Sequence, residues 1–295
     1  WCSSLTDITI PSSVTSIGSG AFLGCTNLTS ITIPSSVTSI GAGVFNHCSS
    51  LKEVLLENGS KLTSESLGVD ASIIKTYWNE GSLTWTLTAD GTMTISGSGA
   101  MKDYSYDSPA CDNSNIKKVV IEEDVTSIGD SAFSDCRSLT DITIPSSVTS
   151  IGESAFESCT DLTSITIPKS VTSIGSNVFD GCTALTEVLL EGGSTLTSEN
   201  FGEVANKVVT RWNEDNLTWT LTADGTLTIS GTGAMKEYGA GSSPAAQKKD
   251  SVKKVVIEDG ITNIVDFAFF DCTVLESIEI PGSVASIGNF AFCSC

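Results

Sequence analysis

Cysteine is the side chain best suited to chemistry in this sequence, which contains ten cysteines but one histidine. A nucleophilic site of the Cys-His or Ser-His-Asp type would have to be built around His47, and no nucleophile motif accompanies it. His47 precedes a repeated cysteine, where other copies of the repeat have Gly or Ser. We therefore interpret it as an exposed loop residue, and the sequence predicts no catalytic residues and no enzyme activity.

Eight of the ten cysteines recur at one position of a repeat, which predicts a buried column rather than disulfides. Free cysteine is among the most buried residue types. Coils stacked about 4.8 Å apart would bring neighbouring cysteines close, but their Cβ vectors would run parallel, which does not suit a bridge. We expect reduced, buried thiols at Cys2, Cys25, Cys48, Cys136, Cys159, Cys182, Cys272 and Cys295.

Metal and sugar sites have little support in the sequence. Cys293 and Cys295 form a lone C-x-C pair, and Asp90 and Asp224 lack the D-x-D-x-D-G spacing of a calcium loop. We therefore predict no metal and no cofactor. An aromatic platform for sugars or peptides is possible, but core packing is the better explanation for most of these aromatic residues: Trp78, Trp85, Trp212, Trp219, Tyr104, Tyr106 and Tyr238.

The charge of the chain excludes one class of partner. With 15 Lys and Arg against 35 Asp and Glu, the net charge is −20. An acidic chain repels nucleic acid, so we expect no nucleic-acid partner. No apolar run approaches the roughly 18 to 20 residues that cross a bilayer, so we also expect no membrane insertion in this fragment.

The elements that position these residues come from a repeat of 23 residues, seen between Cys25 and Cys48 and again between Cys159 and Cys182. Its pattern is L-x-x-I-x-I-P-x-x-V-x-x-I-G-x-x-A-F-x-x-C, with seven complete units. Isoleucines that alternate with polar residues indicate a short strand with one buried face, and proline ends that strand. Each unit therefore predicts one coil of a solenoid, stabilised by its neighbours.

Two stretches with a different sequence pattern interrupt the repeat. Both contain LTWTLTADGT(M/L)TISG(S/T)GAMK, at 83–102 and 217–236, which predicts a β-hairpin with its turn at Ala-Asp-Gly. We call the two stretches, 57–115 and 191–251, the first and second modules. The chain is thus divided into repeat block 1 (1–56), the first module, repeat block 2 (116–190), the second module and repeat block 3 (252–295).

The repeat resembles the treponemal-type, 23-residue leucine-rich repeat of BspA-like bacterial surface proteins. This resemblance implies an α/β leucine-rich-repeat solenoid of the horseshoe type, β-rich with short helical or 3-10 turns. It also implies an extracellular location, at the bacterial cell surface or secreted, and binding of other surfaces. One departure from the pattern is Val265, which stands where other units have glycine. Either that bend does not demand a positive φ, or this unit is bent differently.

The outward positions of the strands form a hydroxylated and acidic candidate binding face. Because it lacks Trp, Tyr and Arg anchors, we expect weak, multivalent recognition of a protein or glycan surface. The alternative is a structural stalk or spacer that presents another domain of a longer surface protein. Cys2 already lies in the cysteine register, which favours a slice of such a longer chain. The candidate residues are Asp7, Thr9, Ser30, Thr32, Asp141, Thr143, Ser164 and Thr166.

The joints between blocks and modules change the repeat in a consistent way. Glutamate replaces proline at all four, and an apolar residue replaces the outward threonine at Leu55, Val120, Leu189 and Val256. Apolar residues on a polar face suggest a cover. We therefore predict that each module folds back over its joint, so that these four side chains are more buried than Thr9, Thr32, Thr143 and Thr166.

Overall fold

The computed structural model describes residues 2–111 and 113–295. The chain is a β-solenoid of about 12 turns, mostly strands with a few short helices. The predicted β-rich solenoid with short helical and 3-10 turns is confirmed, whereas the α/β class, the horseshoe type and the five-segment division stay predictions. The chain forms two compact units. The first unit consists of Trp1–Gly99, Asn113–Val125 and Asp141–Thr143. The second unit consists of Ala100–Asp112, Thr126–Thr140 and Ile144–Cys295.

Short strands dominate the chain. The first strands are β1 (Ser16–Ile17), β2 (Ser30–Ile33), β3 (Ser39–Ile40), β4 (Glu53–Glu57), β5 (Ile74–Glu80), β6 (Leu83–Thr88), β7 (Thr92–Gly97), β8 (Gly99–Ala100), β9 (Lys118–Ile121), β10 (Val125–Ile128) and β11 (Asp141–Thr143). They continue as β12 (Ser150–Ile151), β13 (Ser164–Ile167), β14 (Ser173–Ile174), β15 (Glu187–Glu191), β16 (Val208–Glu214), β17 (Leu217–Thr222), β18 (Thr226–Gly231), β19 (Gly233–Ala234), β20 (Lys254–Ile257), β21 (Ile261–Ile264), β22 (Ser277–Glu279) and β23 (Ser286–Ile287).

The helices are few and lie in the two modules. They are α1 (Ser64–Leu67), α2 (Pro244–Gln247) and the 3-10 helices Ala71–Ile73 and Ser198–Lys207. Thr63 caps α1 because its side chain accepts a hydrogen bond from the backbone N–H of Ser66. The Ser66 hydroxyl in turn accepts the backbone N–H of Thr63. Gly68 ends α1 in the left-handed conformation.

Each coil places two short strands in two parallel ladders. In β2, Ile31 and Ile33 are buried while Thr32 is half-buried, so the strand alternates as the sequence predicts. Pro34 follows, and its carbonyl accepts the N–H of Val37 to close a turn. The chain then enters β3, which pairs in parallel with β1 one repeat earlier.

In most coils the glycine after the second strand leaves room for the backbone of the neighbouring coil. A Cβ at Gly152 would lie 2.4 Å from the backbone N of Asp130, and one at Gly175 would lie 2.4 Å from the backbone N of Glu153. Neither glycine has a positive φ. Val265 occupies the same position and is buried, so this bend does not demand a positive φ.

Phenylalanines stack along the inside of the coils. In the second unit the ring centroids of Phe133 and Phe156 are 5.5 Å apart, and those of Phe156 and Phe179 are 5.7 Å apart. The second module extends this stack, since Phe201 of its 3-10 helix lies 6.3 Å from Phe179. The apolar column therefore passes from the repeat into the module without a break.

The cysteine column joins successive coils through sulfur hydrogen bonds. The Cys159 thiol donates to the carbonyl of Phe133 at 3.2 Å, and the Cys182 thiol donates to that of Phe156 at 3.1 Å. All ten cysteines are free. A protonated thiol is needed as the donor, and burial raises the pKa of Cys136 in this column.

Burial of the column is incomplete, which corrects the prediction of eight buried thiols. Cys2 and Cys295, which lie in the first and last coils described, are exposed. Cys48 is half-buried, whereas its equivalent Cys182 is buried. The second module has helical turns over Ser198–Lys207, interrupted by a kink at Gly202, and the first module has the short helices Ser64–Leu67 and Ala71–Ile73.

Each module inserts three antiparallel strands into the same sheet as the coils. The first unit contains a seven-stranded sheet in the order β11-β9-β7-β6-β5-β4-β2, and the second unit contains β13-β15-β16-β17-β18-β20-β22. The short second strands form the orders β1-β3, β14-β12-β10-β8 and β19-β21-β23. Strands β4 and β5 pair in parallel, as do β7 and β9, while β5, β6 and β7 are antiparallel.

The predicted hairpin is confirmed, with Trp85 opposite Ile95. The predicted folding back of the modules is wrong. Because β5 and β7 hydrogen-bond to the flanking repeat strands in one plane, the modules bridge two blocks rather than covering a joint.

Candidate binding face

The outward side of each seven-stranded sheet forms continuous rows of side chains. Cross-strand partners define the rows, because opposite residues point to the same side of a sheet. In the first unit one row is Thr32, Leu55, Lys75, Thr88, Thr92, Lys118 and Asp141. In the second unit the equivalent row is Thr166, Leu189, Val209, Thr222, Thr226, Lys254 and Ser277.

The predicted face residues lie at the edges of these sheets. Thr9 bridges to Thr32 at one edge of the first sheet, and Asp141 and Thr143 lie on β11 at its other edge. The module strands separate the two groups. Ser30 and Thr32 are half-buried, and the remaining six are exposed: Asp7, Thr9, Asp141, Thr143, Ser164 and Thr166.

The central residues of the face were not predicted from the sequence. Lys75 and Tyr77 of β5 project on this side in the first unit, and Val209 and Arg211 of β16 occupy the same places in the second. Strand β5 was missed because it carries neither the repeat pattern of its neighbour β4 nor the hairpin phrase of its neighbour β6. The Trp78 to Trp85 spacing around Glu-Gly-Ser was the available signal for a second tight turn.

Four ion pairs cross between neighbouring strands at or next to the junctions of modules and repeat blocks. Glu53 and Glu187 pair with bases on the first strand of a module, whereas Asp141 and Glu279 pair with bases on the preceding strand of their own repeat block. Exposed pairs of this kind are each worth about 0.2–1 kcal/mol. The four pairs are Glu53 with Lys75 at 2.5 Å, Asp141 with Lys118 at 2.8 Å, Glu187 with Arg211 at 3.4 Å and Glu279 with Lys254 at 2.6 Å.

The four apolar joint residues are half-buried, as is Thr32, whereas Thr9, Thr143 and Thr166 are exposed. Their partial burial comes from flanking strands on both sides and not from a cover. Leu189, for example, lies between Thr166 and Val209. The apolar joint residues are therefore part of the outward face itself.

At the joints, the glutamate that replaces proline forms hydrogen bonds through its backbone N–H or its carboxylate, two groups that proline lacks. The N–H of Glu122 donates to the carbonyl of Ile95, and the N–H of Glu258 donates to that of Ile229. A proline would remove both bonds to the module strand. At the first exit joint, the Glu57 carboxylate instead accepts bonds from the N–H and hydroxyl of Ser35, each at 2.8 Å.

These hydrogen bonds from Ser35 lower the pKa of Glu57. Desolvation raises the pKa of Tyr77, which is also raised by the charge of Glu57. The outward face at the first module is therefore anionic at Glu57 and carries a neutral phenol beside it.

The other chemical candidates have structural roles. Asp90 closes the hairpin turn by accepting the N–H of Thr92 at 3.0 Å and the hydroxyl of Thr88 at 2.5 Å, which lowers its pKa. His47 is exposed with φ 61, in the left-handed turn position that Gly24 also occupies. No group of His, Cys, Asp or Glu among the described residues is arranged to hold a metal ion.

Core packing, the favoured explanation for the aromatic residues, is confirmed for most of them. Trp85 and Trp219 are fully buried in the modules, and Trp212, Tyr104 and Tyr238 are also buried. Trp78 is half-buried. Tyr106 alone of this group is well exposed.

The family model of the BspA type leucine rich repeat region matches six copies of the repeat in this chain, over residues 1–74, 105–210 and 243–295. These ranges cover most of the chain. No curated protein gives a significant match. Across 2–111 and 113–295, no helix has the length and apolar character needed to span a membrane.

Several solved structures are similar to the chain. A leucine rich cell surface protein from Faecalibacterium prausnitzii A2-165 is 28% identical with a TM-score of 0.30, over 95% of this chain and 62% of that one. A leucine-rich repeat protein from Eubacterium ventriosum is 23% identical with a TM-score of 0.37, over 73% and 62%. The pneumococcal vaccine antigen PcpA is 20% identical with a TM-score of 0.29, over 88% and 58%. The chain thus spans less than two thirds of the length of each.

Proposed function

The chain belongs to the BspA-type leucine-rich repeat family, and from this premise we propose that it is a non-enzymatic extracellular scaffold for binding. It recognises protein or glycan surfaces through the outward face of its two seven-stranded sheets. We place it at the bacterial cell surface or in the secreted fraction, since proteins of this family are typically found there.

Rows that contain several hydroxyl groups carry this proposal. Thr86 and Thr94 lie side by side on module strands, and Val120 separates them from Thr143 of the repeat. Hydroxyls donate and accept hydrogen bonds, and so suit sugar hydroxyls and peptide groups equally. The face has few residues of the types that dominate tight interfaces, with Tyr77 and Arg211 as its large anchors. Affinity for a single contact is therefore weak, and repetition supplies avidity.

A multivalent display of the full chain tests this proposal. Streptavidin-bound tetramers should bind spots on a glycan or host-protein array that the monomer does not retain. Thr166→Arg should reduce tetramer binding at least tenfold, because it places a long cation in the exposed row. Thr172→Arg is the matched control, since Thr172 is an exposed threonine that precedes β14 in the short-strand ladder. Equal loss in the two variants would contradict binding through this face.

The absence of catalysis has its own test. We expect no turnover of esters, peptides or glycosides. A site of the Cys-His or Ser-His-Asp type would have to involve His47, the one histidine of the chain. A hydrolysis that His47→Ala abolished would overturn the scaffold assignment.

A stalk or spacer is the second candidate function. The small hydroxylated side chains at the sheet edges favour it, because they provide few anchors for a partner. The sequence of the full-length gene distinguishes the two roles: a folded effector domain beyond this chain, with no array binding by the tetramer, would support the stalk.

A further inference from the structure

The two modules begin with the same loop, residues 57–63 in the first and 191–197 in the second. In both, the third residue is a glycine with positive φ, 86° at Gly59 and 90° at Gly193. The N–H of Ser60 donates to Glu57 and that of Ser194 to Glu191, each at 3.0 Å. The serine hydroxyls then accept the N–H groups of Leu62 and Leu196. The backbone carbonyls of the two loops therefore have the same arrangement.

In the second module these carbonyls hold an ammonium group. The Lys248 amine donates to the carbonyl oxygens of Ser194 and Leu196, at 2.8 Å each. Both residues are buried, with 4% and 3% exposure. Burial lowers the pKa of Lys248, as expected for an amine held partly away from water.

In the first module the equivalent residues, Ser60 and Leu62, line a cavity. Among the described residues no donor reaches either carbonyl oxygen, and both residues are half-buried rather than buried. The cavity measures about 460 Å³, against about 210 Å³ for the cavity that Lys248 lines in the second module. Lys117 is not the counterpart of Lys248, because it corresponds to Lys253, which lines the second cavity as well.

The walls of the larger cavity suit a cation with an apolar stem. Glu57 and Asp90 are among the residues that line it, and hydrogen bonds lower the pKa of each carboxyl group, so both are ionised at neutral pH. Leu56, Ile74 and Leu87 supply apolar surface beside them. Charge-assisted bonds to carbonyl oxygens are the stronger kind of hydrogen bond.

We propose that the first module binds a primary alkylammonium group, with the ammonium on the carbonyl oxygens of Ser60 and Leu62 and the alkyl stem in the cavity. The ligand takes the place that the side chain of Lys248 takes in the second module. Its chemistry is that of a lysine side chain or of a small free amine. This inference does not rest on the proposed function, although the cavity adjoins the binding face through Glu57 and Thr88.

Ligand-observed NMR titration of the full chain with n-pentylamine, at 150 mM salt, is the direct measurement. We expect saturable binding with a stoichiometry of one, and at least tenfold weaker binding of 1-pentanol, which has the same stem without the charge. A peptide with one lysine and its Nε-acetylated form separate the two sources. Binding of the peptide but not of its acetylated form assigns a lysine side chain, and binding of pentylamine alone assigns a small amine.

Matched variants locate the site. Ala89→Trp places an indole at the exposed rim of the first cavity, and Ala223→Trp does the same at the second. The first variant should weaken pentylamine binding at least tenfold and the second should leave it unchanged. Equal binding by the two variants, or equal affinity for pentanol and pentylamine, would overturn the proposal.

A gain of function gives an independent test. Lys248→Ala should open the second pair of carbonyls and raise the stoichiometry from one to two. Lys248→Met retains the stem but not the ammonium and should keep a stoichiometry of one. If Lys248→Ala gained no site while remaining folded by circular dichroism, the carbonyl pair would not be the binding determinant.

Discussion

Single side chains in this solenoid are divided between the core and the outward face by the alternation of one short strand. Ile31 is 2% exposed, whereas Thr32 beside it is half-buried and faces outward. Ile31→Ala should lower the free energy of unfolding by about 2–5 kcal/mol, because it leaves a cavity between stacked coils. Thr32→Ala should change it by about 0.5 kcal/mol. Urea melts measure both, and equal effects would contradict the assignment of faces.

Buried cysteines should make stability depend on alkaline pH. Burial raises the pKa of the Cys272 thiol to about 12, whereas in the unfolded chain it ionises near its ordinary value of about 9. Between these values the folded state holds a proton that the unfolded state has lost, so stability falls as pH rises from about 9 to about 12. The slope is about 1.4 kcal/mol per pH unit for one such thiol.

The check is a series of urea melts from pH 8 to pH 11. Cys272→Ala should reduce this slope relative to the wild-type chain. Thr273→Ala, a change at the exposed neighbouring residue, should keep the wild-type slope. An identical slope in all three chains would show that Cys272 does not contribute.

At the scale of elements, the spacing between coils is set by the glycine that follows the second strand. Gly152→Ala would place a Cβ 2.4 Å from the backbone N of Asp130 in the preceding coil, so we expect destabilisation of about 1–3 kcal/mol from overpacking. Gly18→Ala is the matched control, because nothing lies within 4 Å of the added carbon. Thermal melts should separate the two, and similar melting temperatures would show that coils can move apart freely.

The repeat elements were predictable from the sequence, but the position of the modules was not. Residues such as Ile31, Phe156 and Cys159 recur every 23 residues within their blocks. Stacking of the coils follows from such a periodic pattern. A module has no such constraint, because its hairpin pattern fits a strand lying in the sheet or across it. The replacement of Pro by Glu122 was the informative signal, since an N–H is needed only if a neighbouring strand accepts it.

The candidate site was predicted only at its edges for a similar reason. Thr143 and Thr166 lie in the repeat, where strand parity fixes the outward direction. Lys75 and Arg211 lie on β5 and β16, which are module strands outside the 23-residue repeat. Contacts made by Lys248 depend on the path of a loop, which local residue patterns do not determine.

At the scale of the whole molecule, net charge opposes compactness. With a formal charge of −20, the folded chain repels itself more than the expanded chain does. Cross-strand pairs such as Lys118 with Asp141 are partly exposed and offset little of this repulsion. Raising NaCl from about 0.02 to about 0.5 M shortens the Debye length from tens of Å to a few Å. The melting temperature should therefore rise, and a fall would mean that ion pairs dominate.

The antiparallel strands within each sheet also bear on how the chain folds. Leu221 meets Leu227 across a tight turn, whereas coils pair residues one full repeat apart, as Ser150 does with Ser173. Closing a short loop loses less chain entropy, so the modules are the natural nuclei from which coils add in sequence. Leu227→Ala should then slow refolding, and Val171→Ala should mainly speed unfolding, in stopped-flow chevrons. The interruptions in the repeat would thus set the rate at which the array assembles.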